Sequence, residues 1–183
     1  MGKALSDMSL AELWELFPIV LTPHQDCWAL WYAEERDALL RLAAGSFPLR
    51  VHHIGSTAVR GIWAKPIVDI LVELPNEAAM RLMAGRMTEQ GYLVMSQLAG
   101  RLSLNKGYTE HGFAEKVFHI HLRLDGDNEE LAFRDCLNSR PDVARAYETL
   151  KLSLWETYEH DRDGYTRAKT DFIRAWTHPA PKA

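Results

Sequence analysis

Three short segments of the chain alternate apolar and polar side chains with a period of two residues. This is the pattern of β-strands that are buried on one face only. In residues 67–74, Asp69 stands on the side opposite Val68 and Ile70. Residues 101–105 and 117–124 repeat the pattern, and their polar series is Arg101, Ser103, Asn105, His119, His121 and Arg123. We therefore expect a sheet with one apolar face, which other elements must cover.

Helical patterns surround these strands. Ser9 and Glu12 have the spacing of a capping box, and residues 25–44 and 75–91 carry apolar side chains at helical intervals. Residues 49–54 and 92–96 read as two more strands. Three helices finish the chain, and we place their starts after Asp127-Asn128, at Pro141 and after Asp163-Gly164. The prediction is a single α+β domain over residues 1–183, with a mixed sheet covered on one face by helices and a helical C-terminal third.

Charge and composition exclude several classes of protein. The formal net charge is −4, from 21 basic and 25 acidic residues, so we expect neither nucleic acid nor an anionic membrane surface as a partner. No segment has the roughly 20 apolar residues of a membrane span, and the N-terminus lacks the pattern of a secretion signal. Two cysteines without metal-type spacing argue against a disulfide framework or a structural zinc site. We predict a cytoplasmic protein and leave its oligomeric state open.

The polar face of the predicted sheet is a candidate site. Asp69, His119 and His121 would lie side by side there and form the donor set of a mononuclear zinc, iron or manganese site. Histidines that hydrogen-bond to their neighbours are the more frequent arrangement. A face that is merely wetted by solvent is the other alternative.

A second candidate is the turn that follows the strand of residues 49–54. In Gly55-Ser56-Thr57, backbone N–H groups and the Ser56 hydroxyl can face a phosphate. A tight turn without a ligand is the commoner explanation of such a tripeptide. Lys65 lies just before the strand of residues 67–74, and Lys106 just after the strand of residues 101–105. Both can act as counter-charges to a phosphate. Further basic residues on the last helices can form a rim above the sheet or pair with nearby acids; they include Arg134, Lys151, Arg162 and Lys169.

Several strings of the chain together resemble the GrpB family. They are His53-Ile54-Gly55-Ser56-Thr57-Ala58-Val59, Lys65-Pro66-Ile67-Val68-Asp69-Ile70-Leu71-Val72, Asn105-Lys106-Gly107, Phe118-His119-Ile120-His121-Leu122, Phe133-Arg134-Asp135, Leu150-Lys151, Tyr165-Thr166 and Lys169. GrpB proteins are similar to the nucleotidyltransferases of the DNA polymerase beta superfamily. The resemblance implies that fold, with a Gly-Ser turn on nucleotide phosphates and a first metal-binding acid at Asp69.

The chain departs from the superfamily pattern at two places. Two carboxylates spaced D-x-D bind metal in the superfamily, and the second position here is Leu71. A later strand carries His119 and His121 where an acid is expected.

Three functions remain open from the sequence. The first is an enzyme that acts on a nucleotide or phosphorylated small molecule with Mg²⁺ or Mn²⁺, in which Asp69, His119 and His121 are catalytic. In this scheme Gly55, Ser56, Thr57, Lys65, Lys106, Arg134, Lys151 and Lys169 hold the ligand. The second is a non-catalytic module that binds a small anion. The third is a mononuclear site of Asp69, His119 and His121, with Zn or Fe as the metal.

Overall fold

The computed structural model describes residues 3–177. Eleven regular elements follow one another along this part of the chain, together with short 3₁₀ turns at Leu5–Asp7 and Ser56–Ala58. The elements are α1 (Leu10–Leu16), α2 (Cys27–Ala43), β1 (Arg50–Ile54), β2 (Val68–Leu74), α3 (Glu77–Glu89), β3 (Leu93–Leu98), β4 (Arg101–Thr109), β5 (Gly112–Leu124), α4 (Glu129–Ser139), α5 (Pro141–Tyr158) and α6 (Arg162–Thr177).

The five strands form one mixed sheet in the order β1-β2-β5-β4-β3. Strands β2 and β5 are parallel neighbours at its centre, and the other pairs are antiparallel. The parallel strands β2 and β5 are joined through α3 and the β3–β4 hairpin. This connection is long enough to return the chain to the end of the sheet at which β2 begins. The predicted α+β class with a mixed sheet is confirmed, and so is the helical C-terminal third.

Helices α2 and α3 cover the apolar face of the sheet. Trp28 and Leu39 of α2 and Met83 of α3 are fully buried against the alternate residues of the strands. The spacing of these side chains along each helix produces the apolar stripe that a sheet requires. The strand residues of this core include Val68, Ile70, Val72, Leu74, Leu104, Ile120 and Leu122. The apolar series predicted from the alternation is therefore the core.

The last three helices pack on one another and form a second apolar cluster. Phe133 of α4 and Tyr147 of α5 meet edge to face, with ring centroids 5.1 Å apart. Phe172 of α6 stacks on the same tyrosine at 5.4 Å. Val59 and Ile62, from the connection between β1 and β2, belong to this cluster. The cluster thus ties α6 to the end of the sheet where Asp69 lies.

None of the helices in residues 3–177 combines the length and the apolar character of a membrane span.

Three boundaries differ clearly from those expected. Helix α6 begins at Arg162, and not after Gly164, because the Asp161 side chain accepts a hydrogen bond of 2.8 Å from the Gly164 N–H. Strands β4 and β5 extend to Thr109 and back to Gly112, beyond residues 101–105 and 117–124. Gly107 permits this extension: its φ is +89°, and a Cβ there would lie 2.3 Å from the Lys116 carbonyl oxygen.

Glu73 on β2 is a buried carboxylate that joins three parts of the fold. Its side chain, 1% exposed, accepts hydrogen bonds from Arg50 and His52 of β1 at 3.0–3.2 Å. It also accepts from the Gly126 N–H at 3.1 Å and from the Asn128 amide at 2.9 Å. The Arg50 guanidinium and these donors outweigh burial and lower the pKa of Glu73 to about 2. Glu73 therefore serves the structure, although it shares the polar side of β2 with Asp69.

We expect Glu73→Gln to destabilise the protein by about 1–3 kcal/mol at pH 7, because the charged acceptor of several buried donors is lost. The depressed pKa stabilises the fold above pH 4.5, and this contribution disappears as pH falls toward about 2. The difference from the parent protein should therefore shrink on acidification. Urea unfolding at pH 7 and pH 3 measures it. Glu77→Gln, which removes an exposed pair with Arg81, is the control and should cost less than about 0.5 kcal/mol. Equal losses in the two variants would contradict the assignment.

Candidate functional site

Asp69 lies where the two central strands meet side by side. The parallel register of β2 and β5 pairs Asp69 with His119 and Leu71 with His121. Asp69 Oδ1 is 3.3 Å from His119 Nδ1 and 3.5 Å from His121 Nε2. Asn105 and Ser103 of β4 stand beside the two histidines in the adjoining register. The predicted polar face is therefore formed, with one carboxylate between two imidazoles.

A chain of hydrogen bonds fixes the proton on His119. Arg162 donates to the Tyr108 hydroxyl at 2.9 Å, and that hydroxyl is 2.8 Å from His119 Nε2. An arginine only donates, so the phenol oxygen accepts from it and directs its own proton to Nε2. The other ring nitrogen, Nδ1, then carries the proton that faces Asp69. This arrangement places an N–H donor, and not a lone pair, toward the carboxylate.

Burial and the hydrogen bonds act in opposite directions on this cluster. Burial lowers the pKa of His119, and the nearby Asp69 offsets only part of the effect. Burial alone would raise the pKa of Asp69, but the hydrogen bonds from His119 and His121 outweigh it and hold that pKa well below its usual range. We conclude that near pH 7 Asp69 is charged and His119 is neutral.

Gly55 brings the turn after β1 into contact with Asp69. Its φ is +69°, and a Cβ built on it would lie 2.5 Å from Asp69 Oδ2. Both facts require glycine, because other residues disfavour this backbone region and any side chain would displace the carboxylate. The 3₁₀ turn Ser56–Ala58 follows directly. The first N–H groups of such a turn have no partner inside it.

A pocket between Asp69 and helix α6 collects positive charge. We call it the inner compartment; its volume is about 210 Å³. Asp69 is its one carboxylate among the described residues, and His119 lines it as well. The donors on its wall come from the turn, from the segment before β2, from α5 and from α6; they are Ser56, Thr57, Lys65, Lys151, Arg162, Tyr165, Thr166 and Lys169.

The lysines of the inner compartment lie against aromatic rings. The Nζ atoms of Lys65 and Lys169 are 4.5 and 4.2 Å from the centroid of the Tyr165 ring. Neither lysine forms a salt bridge within residues 3–177. Lys151 donates to the Trp63 carbonyl and lies 5.0 Å from the Tyr147 ring centroid.

Burial, reinforced by neighbouring cations, lowers the pKa of Lys65 to about 7. Burial likewise lowers the pKa of Lys151 to about 7 and that of Lys169 to about 8. Cationic lysines in this position lack the counter-charge that would keep them protonated. A ligand that carried negative charge would supply this counter-charge.

Most of the residues predicted from the sequence meet here. Gly55 contacts Asp69, and Ser56, Thr57, Lys65, Asp69, His119, Lys151 and Lys169 line the inner compartment. His121 reaches Asp69 without lining the compartment.

Two predicted ligand-binding residues lie elsewhere. Lys106 bonds the buried carboxylate of Glu35 at 2.8 Å, on the side of the sheet that α2 covers. Arg134 donates to the His53 carbonyl at 3.0 Å and pairs with Asp135. Both are held by structural partners, and neither lines the inner compartment.

The sequence patterns did not single out Tyr108, Tyr165 or Thr166 for the site. Arg162, Tyr165, Thr166 and Lys169 follow one another at helical spacing on α6. That spacing becomes a usable signal once the helix start is placed at Arg162. Tyr108 had no such signal, because it lies in the part of β4 beyond the predicted strand.

The residues around Asp69 fit a directly bound metal ion poorly. Among residues 3–177, no group of three or more His, Cys, Asp or Glu side chains is arranged to hold a metal. The His119 nitrogen that faces Asp69 carries a proton in the hydrogen-bonded arrangement described above. Leu71, at the position of the second superfamily acid, is fully buried. Metal binding by Asp69, His119 and His121 therefore stays a prediction.

We expect Gly55→Ala to lower both the stability of the fold and the order of the site. Gly45 provides a matched control, because its φ is +72° but a Cβ added there would meet nothing within 4 Å. Gly45→Ala should therefore cost only the backbone term, about 1–2 kcal/mol. Gly55→Ala should cost about 1–3 kcal/mol more, because the new methyl group collides with Asp69. Urea unfolding of both variants measures the difference, and equal losses would contradict the contact.

Known proteins resemble this chain over most of its length. The family model described as "GrpB protein" matches residues 18–178. The glutamate-rich protein GrpB of Alkalihalophilus pseudofirmus is 34% identical over 161 residues, which cover 85% of this chain and 91% of that protein. Some relatives are longer: UPF0157 protein YqkA of Bacillus subtilis is 28% identical over 90% of this chain, which spans 49% of it.

Solved structures agree on the fold. The conserved protein GrpB from Enterococcus faecalis superposes with a TM-score of 0.74 at 30% identity, over 86% of this chain and 94% of that one. A Cid1 poly(U) polymerase with Mg 3′-dATP bound superposes with a TM-score of 0.51 at 12% identity, over 87% of this chain and 51% of that one. The second likeness shows a nucleotidyltransferase-like fold and nothing further. The family match and the relatives together show that the chain belongs to the GrpB family.

Proposed function

We propose that the inner compartment binds the phosphate groups of a nucleotide or another phosphorylated small molecule. The observation that carries the proposal is the convergence of Lys65, Lys151, Lys169 and Arg162 on one narrow pocket that has a single carboxylate among the described residues. Phosphate carries the charge and the acceptor oxygens that such a set of donors lacks.

The state of the lysines favours an anionic ligand over a neutral one. Their pKa values are lowered by burial, so without an anion they are partly deprotonated near pH 7. A bound anion stabilises the ammonium form and draws protons into the pocket. Coulomb attraction is strong in a narrow site that excludes most water, so each protonated lysine adds to affinity.

The turn after β1 adds uncharged donors to the same pocket. The hydroxyl groups of Ser56 and Thr57 line it, and Gly55 lets this turn approach Asp69 closely. Thr57 Oγ1 is 2.9 Å from His53 Nε2, and this contact fixes the position of the hydroxyl oxygen. Backbone N–H groups at the start of a helical turn suit phosphate for the same electrostatic reason.

Asp69 supports binding through its neighbours. Its charge partly offsets the desolvation of Lys65 and Lys169 and keeps them cationic more often than burial alone allows. Nucleotidyl transfer with two metal ions would need further carboxylates near Asp69. The described side chains supply none in the inner compartment. We therefore favour ligand binding over metal-dependent transfer.

Removal of the buried charges should weaken binding. We expect Lys65→Met and Lys169→Met each to reduce the affinity for pyrophosphate at least about tenfold, because each removes a poorly solvated cation from the pocket. Lys116→Met is the control, since Lys116 pairs with Glu34 on the surface, and it should change affinity less than about twofold. Titration calorimetry in EDTA measures all three.

Two outcomes would contradict this proposal. One is pyrophosphate binding that is equal in all variants. The other is binding that appears only with Mg²⁺ and disappears in Asp69→Asn, which would instead support the metal-dependent transferase. Retained binding in Asp69→Asn with EDTA present is the result that we expect.

Binding should also depend on pH with a defined sign. Sulfate is a useful probe because its charge stays constant across the neutral range. The lysines are protonated below about pH 7 and lose their protons between about 7 and 8. Sulfate affinity should therefore be highest below this range and fall as pH rises through it. Calorimetry at mid-range in two buffers of different ionisation enthalpy should also detect proton uptake. A flat profile would contradict the proposed role of the lysines.

A further inference from the structure

A second, larger cavity adjoins the inner compartment. We call it the outer compartment; its volume is about 360 Å³. Ser56, Asp69 and Lys169 line both, so the two are neighbours that share one wall. Helix α6 runs along both, with Lys169 at the junction and Ile173 one turn further into the outer compartment.

The outer compartment differs in chemistry from the inner one. Its apolar wall is formed by Ile54 of β1, Phe133 of α4, Tyr147 of α5 and Ile173 of α6. Phe133 and Tyr147 pack edge to face in the second apolar cluster. An apolar cavity with aromatic walls takes an uncharged organic group, and the rigid rings reduce the entropy lost on binding.

Two of the charged groups that line the outer compartment, Arg101 and Glu130, are already paired. Arg101 makes a two-pronged contact with Asp127 at 2.6 and 2.7 Å. Glu130 accepts from Arg123 at 3.3 Å. These two side chains therefore have little capacity left for specific hydrogen bonds to a bound ring system. Size and apolar contact should therefore determine what enters.

The volumes of the two compartments distinguish a bare anion from a phosphate ester as the ligand of the whole site. Sites for small organic molecules usually measure roughly 300–1,000 Å³. The inner compartment, at about 210 Å³, is below this range, and the outer one, at about 360 Å³, is within it. A ligand with a phosphate and an organic group of nucleoside size needs both.

We propose that the ligand is a phosphate monoester with a flat or apolar organic group, whose phosphate occupies the inner compartment and whose organic group occupies the outer one. This inference rests on the proposed phosphate binding in the inner compartment. It adds that inorganic phosphate occupies only part of the site, and that the organic group is selected by shape and not by a specific pattern of hydrogen bonds.

The test compares three probes and two variants by titration calorimetry in EDTA. The probes are inorganic phosphate, AMP and 1-naphthyl phosphate, which share a phosphate and differ in the organic group. We expect AMP and 1-naphthyl phosphate each to bind at least about tenfold more tightly than inorganic phosphate, because they bury apolar surface in the outer compartment. Their affinities should differ from each other by less than about fivefold, because apolar contact dominates for both.

Ile173→Trp fills the outer compartment with a bulky ring. It should reduce the affinity for both esters at least about tenfold and change that for inorganic phosphate less than about twofold. The matched control is Ala175→Trp, because Ala175 is exposed on α6 and lines neither compartment. It should leave all three affinities essentially unchanged, and the circular dichroism of both variants should match that of the parent protein.

The outcomes distinguish a failure of this inference from a failure of the proposed phosphate binding. If inorganic phosphate binds and the esters bind no more tightly, or if Ile173→Trp weakens all three probes equally, the outer compartment does not hold the organic group. The proposed phosphate binding would then stand. If none of the three probes binds, both proposals fail.

Discussion

The pairing of β2 with β5 is the constraint on which the rest of the site depends. Parallel strands require a long connection, and here α3 and the β3–β4 hairpin supply it. The register that results puts Asp69 opposite His119 and next to His121. A slip by one residue would turn Asp69 into the apolar core beneath α2. The same alternation that buries Val68 and Ile70 thus exposes the carboxylate to the pocket.

Once Asp69 is fixed, its electrostatic surroundings follow from the elements that converge on it. Two imidazole nitrogens lie 3.3 and 3.5 Å from the same carboxylate oxygen, and Arg162 acts through Tyr108 to set the proton on one of the rings. Helix α6 therefore does more than complete the fold, because it supplies Arg162, Tyr165 and Lys169 to the pocket beside Asp69. The desolvated lysines around this carboxylate have lowered pKa values, because nearby negative charge does not fully offset their burial.

Strand alternation made the sheet and the polar face predictable from the sequence. Asp69, His119 and His121 were placed on one face by counting residues, because a period of two is fixed by backbone geometry. Lys65 and the Gly55-Ser56-Thr57 turn were predicted because they flank strands. The positions of residues on helices were harder to predict from patterns. Lys151 and Lys169 look like any solvated lysine, and only the packing of α5 and α6 brings them to the pocket beside Asp69.

The two predicted cations that lie outside the inner compartment illustrate the same limit. Lys106 turns toward Glu35 of α2, and the Arg134 guanidinium donates to the His53 carbonyl. In both cases a partner distant in sequence decides the position of the charge, and local patterns carry no information about such partners.

Leu71 shows why the fold alone does not give the chemistry. It occupies the position where the superfamily pattern expects a second metal-binding acid, and it is completely buried beside His52 and His121 in the sheet register. A carboxylate at this position would have to be desolvated next to Asp69, at a cost that a pair of cations normally offsets. Apolar leucine removes that cost, while the neighbouring histidines lower the pKa of Asp69 and so stabilise its charge. The lysines of the inner compartment then face a single carboxylate among the described residues.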